Sequence, residues 1–314
     1  MRIVFFGTPE YVLPVLEKLN KSFRTKGISP VVAVVTQGPK PAGRKKLLAY
    51  SPVDNWAHKR NAKINNPSAK IEILHSAKEL KSQGVQADIG ILAAYGEIIP
   101  SDVLKMFPLG ILNIHPSLLP KFRGASPVQA TIATEEQAGA TIIKLDEEMD
   151  HGPIVAQFKD ETLATDTTET LRDRLFARAT DVLVELLPAY ISGKITPKEQ
   201  DHTSATYTKL ITKQDGFIPW GAIGATFKGR TFKGEFELSF IKNFSTSYSP
   251  NTIHRFVRAM HPWPGIWTEV DIKSQKTRLK ILKTHLDNEK LVIDEVQLEG
   301  KKPVTWKQFK EAYL

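Results

Sequence analysis

Residues 110–120 read Gly-Ile-Leu-Asn-Ile-His-Pro-Ser-Leu-Leu-Pro, a stretch that indicates a buried strand with reactive side chains at its end. Apolar residues favour a β-strand over Gly110 to Asn113, and Pro116 ends the apolar pattern. A second apolar segment, Thr141 to Leu145, leads into a polar run that contains Asp150. Two successive apolar segments are therefore predicted to end in an amide, an imidazole and a carboxylate.

The same alternation of short apolar runs and helical patterns extends over the first two thirds of the chain. Further strands are predicted at residues 2–6, 30–36 and 87–93, and helices at 9–23, 51–60, 76–82, 126–133 and 168–191. Strands that alternate with helices form a parallel sheet, because each crossover helix brings the chain back to the same edge. We therefore predict an α/β domain with a mostly parallel sheet.

The pattern changes after residue 191. Residues 192–206 are polar and aperiodic, which is typical of a linker. Strand-like segments follow at 228–241, 267–272, 279–284 and 290–296, with one helix predicted at 251–260. We expect a first domain over 1–191, a linker over 192–206, and a small C-terminal β-barrel or sandwich over 207–314.

Composition limits the class of protein. The chain of 314 residues is 41% hydrophobic and 25% charged, which is ordinary for a folded domain in water. No apolar run approaches the roughly 20 residues that span a bilayer. The absence of cysteine excludes disulfides, thiolate zinc sites and a cysteine nucleophile, and the eight histidines lack metal-ligand spacing. We expect a cytoplasmic protein without a metal and without a membrane partner.

Basic residues are concentrated in the last third of the chain. The formal charge is +9, and residues 205–314 hold 18 Lys and Arg against 11 Asp and Glu. Such uneven positive charge is typical of proteins that bind polyanions, because Lys and Arg neutralise phosphates. The alternative is a basic surface that contacts solvent alone.

Asn113, His115 and Asp150 form a set that suits acyl transfer to an amine. Asn offers a neutral donor to a developing oxyanion, His can accept or donate a proton near neutral pH, and Asp can orient the His. An α-amino group, with a pKa of roughly 8, is partly unprotonated at pH 7 and can attack an acyl carbon directly. A hydrolase with Ser117 as its nucleophile is disfavoured, because no Gly-x-Ser-x-Gly element surrounds this serine.

Several longer motifs occur in order along most of the chain. They are Phe-Gly-Thr-Pro-Glu at 6–10, Thr-Gln at 36–37, Pro-Ala-Gly-Arg at 41–44, Ser-Pro-Val at 51–53, Ala-Tyr-Gly at 94–96, residues 113–120, Phe-Arg-Gly-Ala at 122–125, Met-Asp-x-Gly at 149–152 and Arg-Ala-x-x-Pro-Trp-Pro at 258–264. Together they resemble the methionyl-tRNA formyltransferases, a branch of the folate-dependent formyltransferase superfamily. The resemblance implies a Rossmann-like catalytic domain followed by a C-terminal OB-like barrel.

The resemblance also implies a reaction and its site. Members of this family transfer a formyl group from the co-substrate 10-formyltetrahydrofolate to the amino group of initiator methionyl-tRNA, through a tetrahedral intermediate and without a metal. The catalytic positions fall on Asn113, His115 and Asp150. Folate-binding positions are expected at Ala94, Tyr95, Gly96, Ser117, Leu118, Leu119, Pro120, Asp146 and Met149. A monomer is expected.

Contacts to tRNA are expected from two parts of the chain. In the family, the loop that corresponds to residues 40–46 enters the acceptor stem. Here this loop holds no acid, and its cations are Lys40, Arg44, Lys45 and Lys46. Arg258 and the basic C-terminal barrel are expected to contact the RNA backbone, since OB-type barrels commonly bind oligonucleotides. An additional hairpin, predicted near 226–245, adds further cations to this barrel.

Three other functions stay open on the sequence alone. A formyltransferase acting on a nucleotide-linked amino sugar would have the same trio and a related barrel, but its small acceptor would leave the basic loop at 40–46 without a partner. A formyltetrahydrofolate hydrolase would use water in place of the amine, and an amino-terminal regulatory domain would be expected. A non-catalytic RNA-binding module would not need the trio.

Overall fold

The computed structural model describes residues 1–42 and 47–313, with the backbone alone described at positions 42 and 68. Contacts divide the chain into two compact units. Unit 1 comprises Met1–Pro120, Gly139–Lys159 and Asp173–Thr203, and unit 2 comprises Lys121–Ala138, Asp160–Arg172 and Ser204–Leu314. Each unit combines segments that are distant in sequence, so the units do not coincide with the predicted domains. The predicted domain boundaries at 191 and 206 remain a prediction.

The elements are numbered along the chain. The strands are β1 (Ile3–Gly7), β2 (Val31–Val35), β3 (Lys40–Ala42), β4 (Leu47–Ala49), β5 (Glu72–Leu74), β6 (Ile89–Ala93), β7 (Ile111–His115), β8 (Arg123–Gly124), β9 (Ala138–Lys144), β10 (Ile154–Asp160), β11 (Tyr207–Thr208), β12 (Phe232–Glu237), β13 (Ser245–Tyr248), β14 (Ile266–Ile272), β15 (Gln275–Asp287), β16 (Lys290–Leu298) and β17 (Val304–Thr305). The α-helices are α1 (Leu13–Ser22), α2 (Pro52–Asn61), α3 (Glu79–Ser82), α4 (Ser101–Leu104), α5 (Pro127–Thr134), α6 (Thr168–Ile191), α7 (Trp220–Thr226), α8 (Pro250–Ala259) and α9 (Trp306–Tyr313).

A seven-stranded sheet with the order β10-β9-β7-β6-β1-β2-β5 forms the centre of unit 1. The pairs β1–β2, β1–β6, β2–β5 and β6–β7 are parallel, whereas β7–β9 is antiparallel. Apolar side chains cover both faces of β1, because Ile3 and Phe5 belong to one core cluster and Val4 and Phe6 to another. The predicted α/β fold with a mostly parallel sheet is confirmed.

Helix α6 has the bounds that the sequence predicts, from Thr168 to Ile191. Its buried face in unit 1 includes Ala179 and Leu187, which join the core cluster of the central sheet. Leu183 is fully buried, whereas Val182 is only partly buried. Within the described residues, no helix is long and apolar enough to cross a membrane.

Unit 2 contains a four-stranded antiparallel sheet with the order β14-β15-β16-β17. Helix α8 packs against β15 and β16. A sheet of this kind fits the small C-terminal barrel that the sequence predicts. Strands β12 and β13 pair in antiparallel fashion as a hairpin near the predicted position. That this hairpin is additional to the family's barrel remains a prediction. Helices α7 and α9 were not predicted, and α7 contains two glycines that lower its helix propensity.

The burial of His254 on α8 predicts a pH-dependent stability. Burial lowers the pKa of His254 from 6.5 to about 4, and the nearby positive charges of Arg258 and His285 act in the same direction. The unfolded chain therefore binds more protons than the folded chain between these two values, so stability should fall as the pH drops from about 6.5 towards 4.

We expect His254→Gln to reduce this loss. The measurement is the urea midpoint of both proteins at about pH 7.5 and about pH 5. If the midpoint falls by the same amount in both proteins, His254 is not a source of the acid sensitivity.

Candidate active site

Asn113, His115 and Asp150 meet in unit 1. Asn113 and His115 are two residues apart on β7, so their side chains leave the same face of the sheet. Both are buried, with exposed fractions of 6% and 4%. Asp150 Oδ1 lies 3.4 Å from Asn113 Nδ2 and 3.5 Å from His115 Nδ1. One carboxylate oxygen is therefore shared by the amide and the imidazole.

Asp150 follows β9, the second of the two apolar segments, as predicted, and β9 pairs with β7. The antiparallel direction of β9 was not expected. The register pairs Leu112 with Lys144 and His115 with Thr141, so antiparallel β9 ends beside the start of β7. Asn113 lies inside β7, and His115 is its last residue. The loop after β9, residues 145–153, has to turn back over β7 for Asp150 to reach them.

The backbone of this loop has little freedom near Asp150. Asp150 has φ of 51°, in the left-handed region that side chains other than glycine seldom adopt. A Cβ atom on Gly152 would lie 1.9 Å from the Lys144 carbonyl oxygen, so only glycine fits there. Gln200 Nε2 donates hydrogen bonds to the carbonyl oxygens of Asp150 (3.0 Å) and Gly152 (2.7 Å). Sequence reasoning missed Gln200, because it lies in the polar stretch interpreted as a linker.

His151 joins the two ends of the loop. Its Nδ1 lies 2.6 Å from Asp146 Oδ2, and its ring stacks on that of His202 with centroids 3.9 Å apart. Asp146 Oδ1 also accepts a hydrogen bond from the Glu148 N–H at 3.0 Å. Met149, at the tip, has an exposed fraction of 62%. Of the two loop residues predicted to bind folate, Asp146 is thus tied into the loop and Met149 faces solvent.

A cavity of about 250 Å³ lies beside this loop. Its apolar wall comes from Leu104, Phe107, Ile111 and Leu145, and Lys144 and Asp146 contribute polar groups. Of the predicted folate-binding residues, Asp146 alone lines the cavity. Sequence reasoning missed the others because an apolar side chain that lines a cavity has the same pattern as one that lines the core.

The segment 94–96 forms a tight turn at the end of β6. Ala94 and Gly96 have φ of 49° and 83°, and the Tyr95 side chain between them is buried. The Tyr95 carbonyl oxygen accepts hydrogen bonds from Thr8 Oγ1 (3.2 Å) and Gln37 Nε2 (3.3 Å). Burial raises the pKa of the Tyr95 hydroxyl. This turn joins the carboxyl ends of β1, β2 and β6, where ligands of open α/β sheets bind.

The segment 117–120 is fixed by main-chain contacts. Thr141 Oγ1 donates to the Ser117 carbonyl oxygen (2.7 Å) and accepts from the Leu119 N–H (3.1 Å). Gln157 Nε2 donates to the Leu119 carbonyl oxygen (2.9 Å). Leu118 is half-buried, and its side chain approaches the backbone of Gly139. The expected folate contacts of residues 117–120 remain a prediction.

The predicted tRNA-binding residues lie in both units. Lys40 is on β3, which pairs with β4 as a hairpin, and its Nζ donates to Gln37 Oε1 (2.7 Å). Arg44, Lys45 and Lys46 lie outside the described residues.

Arg258, on α8 in unit 2, makes contacts that stabilise the fold. Its guanidinium donates to the carbonyl oxygen of Asp166 (2.8 Å), and burial lowers its pKa. A guanidinium N–H that already donates to a main-chain carbonyl is not free to donate to a phosphate at the same time. The expected RNA contact of Arg258 remains a prediction. Among residues 1–42 and 47–313, no three His, Cys, Asp or Glu side chains are grouped so that they could hold a metal ion.

Comparison with known proteins gives matches along the whole chain. The Formyl transferase family matches residues 1–187, and the family of the formyl transferase C-terminal domain matches residues 244–291. A methionyl-tRNA formyltransferase of Roseiflexus sp. is 38% identical over 85% of this chain and 73% of its own. Those of Clostridium novyi and Dictyoglomus thermophilum are 30% and 31% identical, over 98% and 100% of this chain and 96% and 97% of their own.

Solved structures share the fold at low sequence identity. A methionyl-tRNA formyltransferase from Clostridium thermocellum has a TM-score of 0.55 at 16% identity, over 95% of this chain and 98% of its own. An N-formyltransferase from Helicobacter canadensis, complexed with folinic acid and dTDP-3-aminofucose, has a TM-score of 0.62 at 16% identity, over 97% and 98%. Because two acceptor classes share it, the fold alone does not distinguish them.

The short distance between Gly152 and the Lys144 carbonyl oxygen predicts that adding one methyl group at Gly152 lowers stability. Gly152→Ala should lower the free energy of unfolding by about 1–3 kcal/mol, because the new Cβ would overlap the Lys144 carbonyl oxygen. The matched control is Gly224→Ala in α7, where the added Cβ would have no heavy atom within 4 Å other than its chain neighbours and the backbone of its own helix. The control should be neutral or slightly stabilising in urea denaturation. Equal unfolding curves for both variants would contradict the crowding at Gly152.

Proposed function

The chain belongs to the methionyl-tRNA formyltransferase family, and on that premise we propose that it transfers a formyl group from 10-formyltetrahydrofolate to the α-amino group of initiator methionyl-tRNA. The observation that carries the proposal is the contact of Asp150 with both Asn113 and His115. This is an arrangement that can stabilise an oxyanion and move a proton without a covalent nucleophile.

Each member of the trio has one role in the proposed transfer. The unprotonated amine attacks the formyl carbon, and Asn113 donates a hydrogen bond to the oxygen as it becomes negative. An Asn amide has two N–H groups, so Asn113 can bond to Asp150 and to this oxygen at once. His115 takes the proton from the attacking nitrogen, while Asp150 holds the imidazole and stabilises its charge.

The exchange is balanced in atoms and charge. A bond forms between the amine nitrogen and the formyl carbon, and the bond between that carbon and the folate nitrogen breaks as the tetrahedral intermediate collapses. His115 removes one proton from the amine, and the leaving folate nitrogen receives one proton, so the number of protons is unchanged. The products are formylmethionyl-tRNA and tetrahydrofolate.

The cavity beside the loop is the proposed site of the folate ring. A structural relative from Helicobacter canadensis was solved with folinic acid, and one from Aquifex aeolicus with tetrahydrofolic acid. In this chain, Leu104, Phe107 and Ile111 offer an apolar wall to a flat ring, and Asp146 offers a polar edge. The cavity adjoins the loop that carries Asp150, so a ring held there would place its formyl group near the trio.

The acceptor is the point on which the two nearest functions differ. Curated relatives that match almost the whole chain at 30% and 31% identity are methionyl-tRNA formyltransferases. The basic segment 40–46 and the excess of cations in residues 205–314 also favour an RNA over a nucleotide-linked amino sugar. We therefore propose tRNA as the acceptor and keep the amino sugar as a competing outcome.

The trio predicts two severe losses of activity. His115→Ala and Asp150→Ala should each lower the rate of methionyl-tRNA formylation by at least roughly a hundredfold, since a proton-transfer group contributes on that scale. His58→Ala and Asp181→Ala, which alter exposed residues of the same types, serve as controls. Formylation is measured as formylmethionyl-tRNA formed per minute. Near-normal rates in both trio variants would rule out this assignment.

The basic segment predicts an effect on substrate binding and not on chemistry. Arg44→Ala should raise the KM for methionyl-tRNA about tenfold, while slow turnover of a stem-free methionyl ester is unchanged, because a lost phosphate contact weakens RNA binding alone. Arg24→Ala removes another exposed arginine of unit 1 and should have no effect. Equal losses with both substrates would place Arg44 in the folate site.

A further inference from the structure

We propose that Gln200 is a positioning residue for formyl transfer, which sets the Asp150 carboxylate against Asn113 and His115 by holding the main chain on both sides of His151. This proposal rests on the proposed function. It gives residues 198–202 a direct role in the geometry of the reaction.

The carboxamide of Gln200 is buried and holds two carbonyl groups at once. The exposed fraction of Gln200 is 5%. One nitrogen atom donates to the Asp150 carbonyl oxygen at 3.0 Å and to the Gly152 carbonyl oxygen at 2.7 Å. Both distances are those of well-formed hydrogen bonds. The two hydrogens of a single NH2 group therefore fix the spacing of two carbonyls that flank His151.

The backbone that carries Gln200 is itself anchored. Ile154 N–H donates to the Lys198 carbonyl oxygen at 2.7 Å, and Lys198 N–H donates to the Ile154 carbonyl oxygen at 2.8 Å. This reciprocal pair joins the segment to the start of β10. His202, two residues after Gln200, stacks on His151. Contacts on both sides of Gln200 thus hold its side chain against the loop.

The loop needs such a hold because Asp150 has an unfavourable backbone conformation. A non-glycine residue in the left-handed region costs free energy and persists only where its surroundings impose it. Residues 147–149 before it are exposed. The contacts of Gln200 act on Asp150 itself and on Gly152, two residues later. Loss of these contacts would let the Asp150 carboxylate move away from His115.

The two residue types nearest to Gln do not reproduce this contact. Asn has the same NH2 group on a shorter side chain, and Glu has the same size with an acceptor where the donor is needed. A displacement of about 1 Å in a catalytic group can cost roughly a hundredfold in rate. The expected signature is a loss in kcat with little change in the KM for methionyl-tRNA, because the basic segments proposed to bind the RNA lie outside this loop.

The test is a double-mutant cycle between Gln200 and Asp150. Gln200→Ala should lower kcat for methionyl-tRNA formylation by about ten- to a hundredfold, and its kcat–pH profile should shift in the same direction as that of Asp150→Asn. In the Asp150→Asn background, Gln200→Ala should cost less than about threefold, since the group that it positions is already impaired. Gln200→Glu should show the same loss of kcat as Gln200→Ala. If the alanine variant does not fold, the same measurements are made on the glutamate variant.

The matched control is Gln137→Ala. Gln137 also donates its side-chain amide to main-chain carbonyls, those of Ala138 and Asp160, but in unit 2. This variant should retain the wild-type kcat and pH profile. Because Gln200 is buried and Gln137 is exposed, the urea midpoint of each variant is measured as well. A positioning role predicts that Gln200→Ala loses kcat under conditions in which it is fully folded, whereas Gln137→Ala does not.

The outcomes separate this proposal from the proposed function. If the wild-type protein does not formylate methionyl-tRNA, the proposed function is wrong. If the wild type is active and folded Gln200 variants retain its kcat, or if the losses from Gln200→Ala and Asp150→Asn multiply, Gln200 is not a positioning residue for Asp150.

Discussion

The Asp150 carboxylate, with one oxygen 3.4 Å from the Asn113 amide and 3.5 Å from the His115 imidazole, is the contact on which the rest of the site depends. Asn113 and His115 are polar side chains inside a buried strand, and such groups cost free energy unless they have partners. Asp150 provides a partner to both. Its position follows from a loop conformation that needs glycine at 152 and, in our account, the amide of Gln200.

Much of the fold can be predicted from local pattern. The apolar runs that became β1, β2, β6, β7 and β9 were found from the sequence, and α6 was predicted to its terminal residues. Strand β10 was missed because its residues are only partly buried and alternate with exposed polar ones, and α7 was missed because two glycines lower its helix propensity. Helix α9 was overlooked although Trp306, Phe309 and Tyr313 have a helical spacing. The antiparallel direction of β9 was also missed, since side-chain pattern carries no information on the direction in which a strand pairs.

The site was predicted in part. Side-chain chemistry and family motifs together point to Asn113, His115 and Asp150, which the structure brings into contact. Gln200 has no motif, and its importance arises from two hydrogen bonds to main-chain atoms about fifty residues away in sequence. The apolar wall formed by Leu104, Phe107 and Ile111 could not be told from core by its residue types. Long-range contacts of this kind become visible only in three dimensions.

The proposed function depends above all on the choice of acceptor, and separate incubations with each class of acceptor distinguish the two candidates. The protein is incubated with 10-formyltetrahydrofolate and either methionyl-tRNA or nucleotide-linked amino sugars, and each acceptor is then weighed by mass spectrometry. We expect methionyl-tRNA to gain the mass of one formyl group and the amino sugars to gain none. A formyl group found on an amino sugar, with methionyl-tRNA unchanged, would contradict the proposed function.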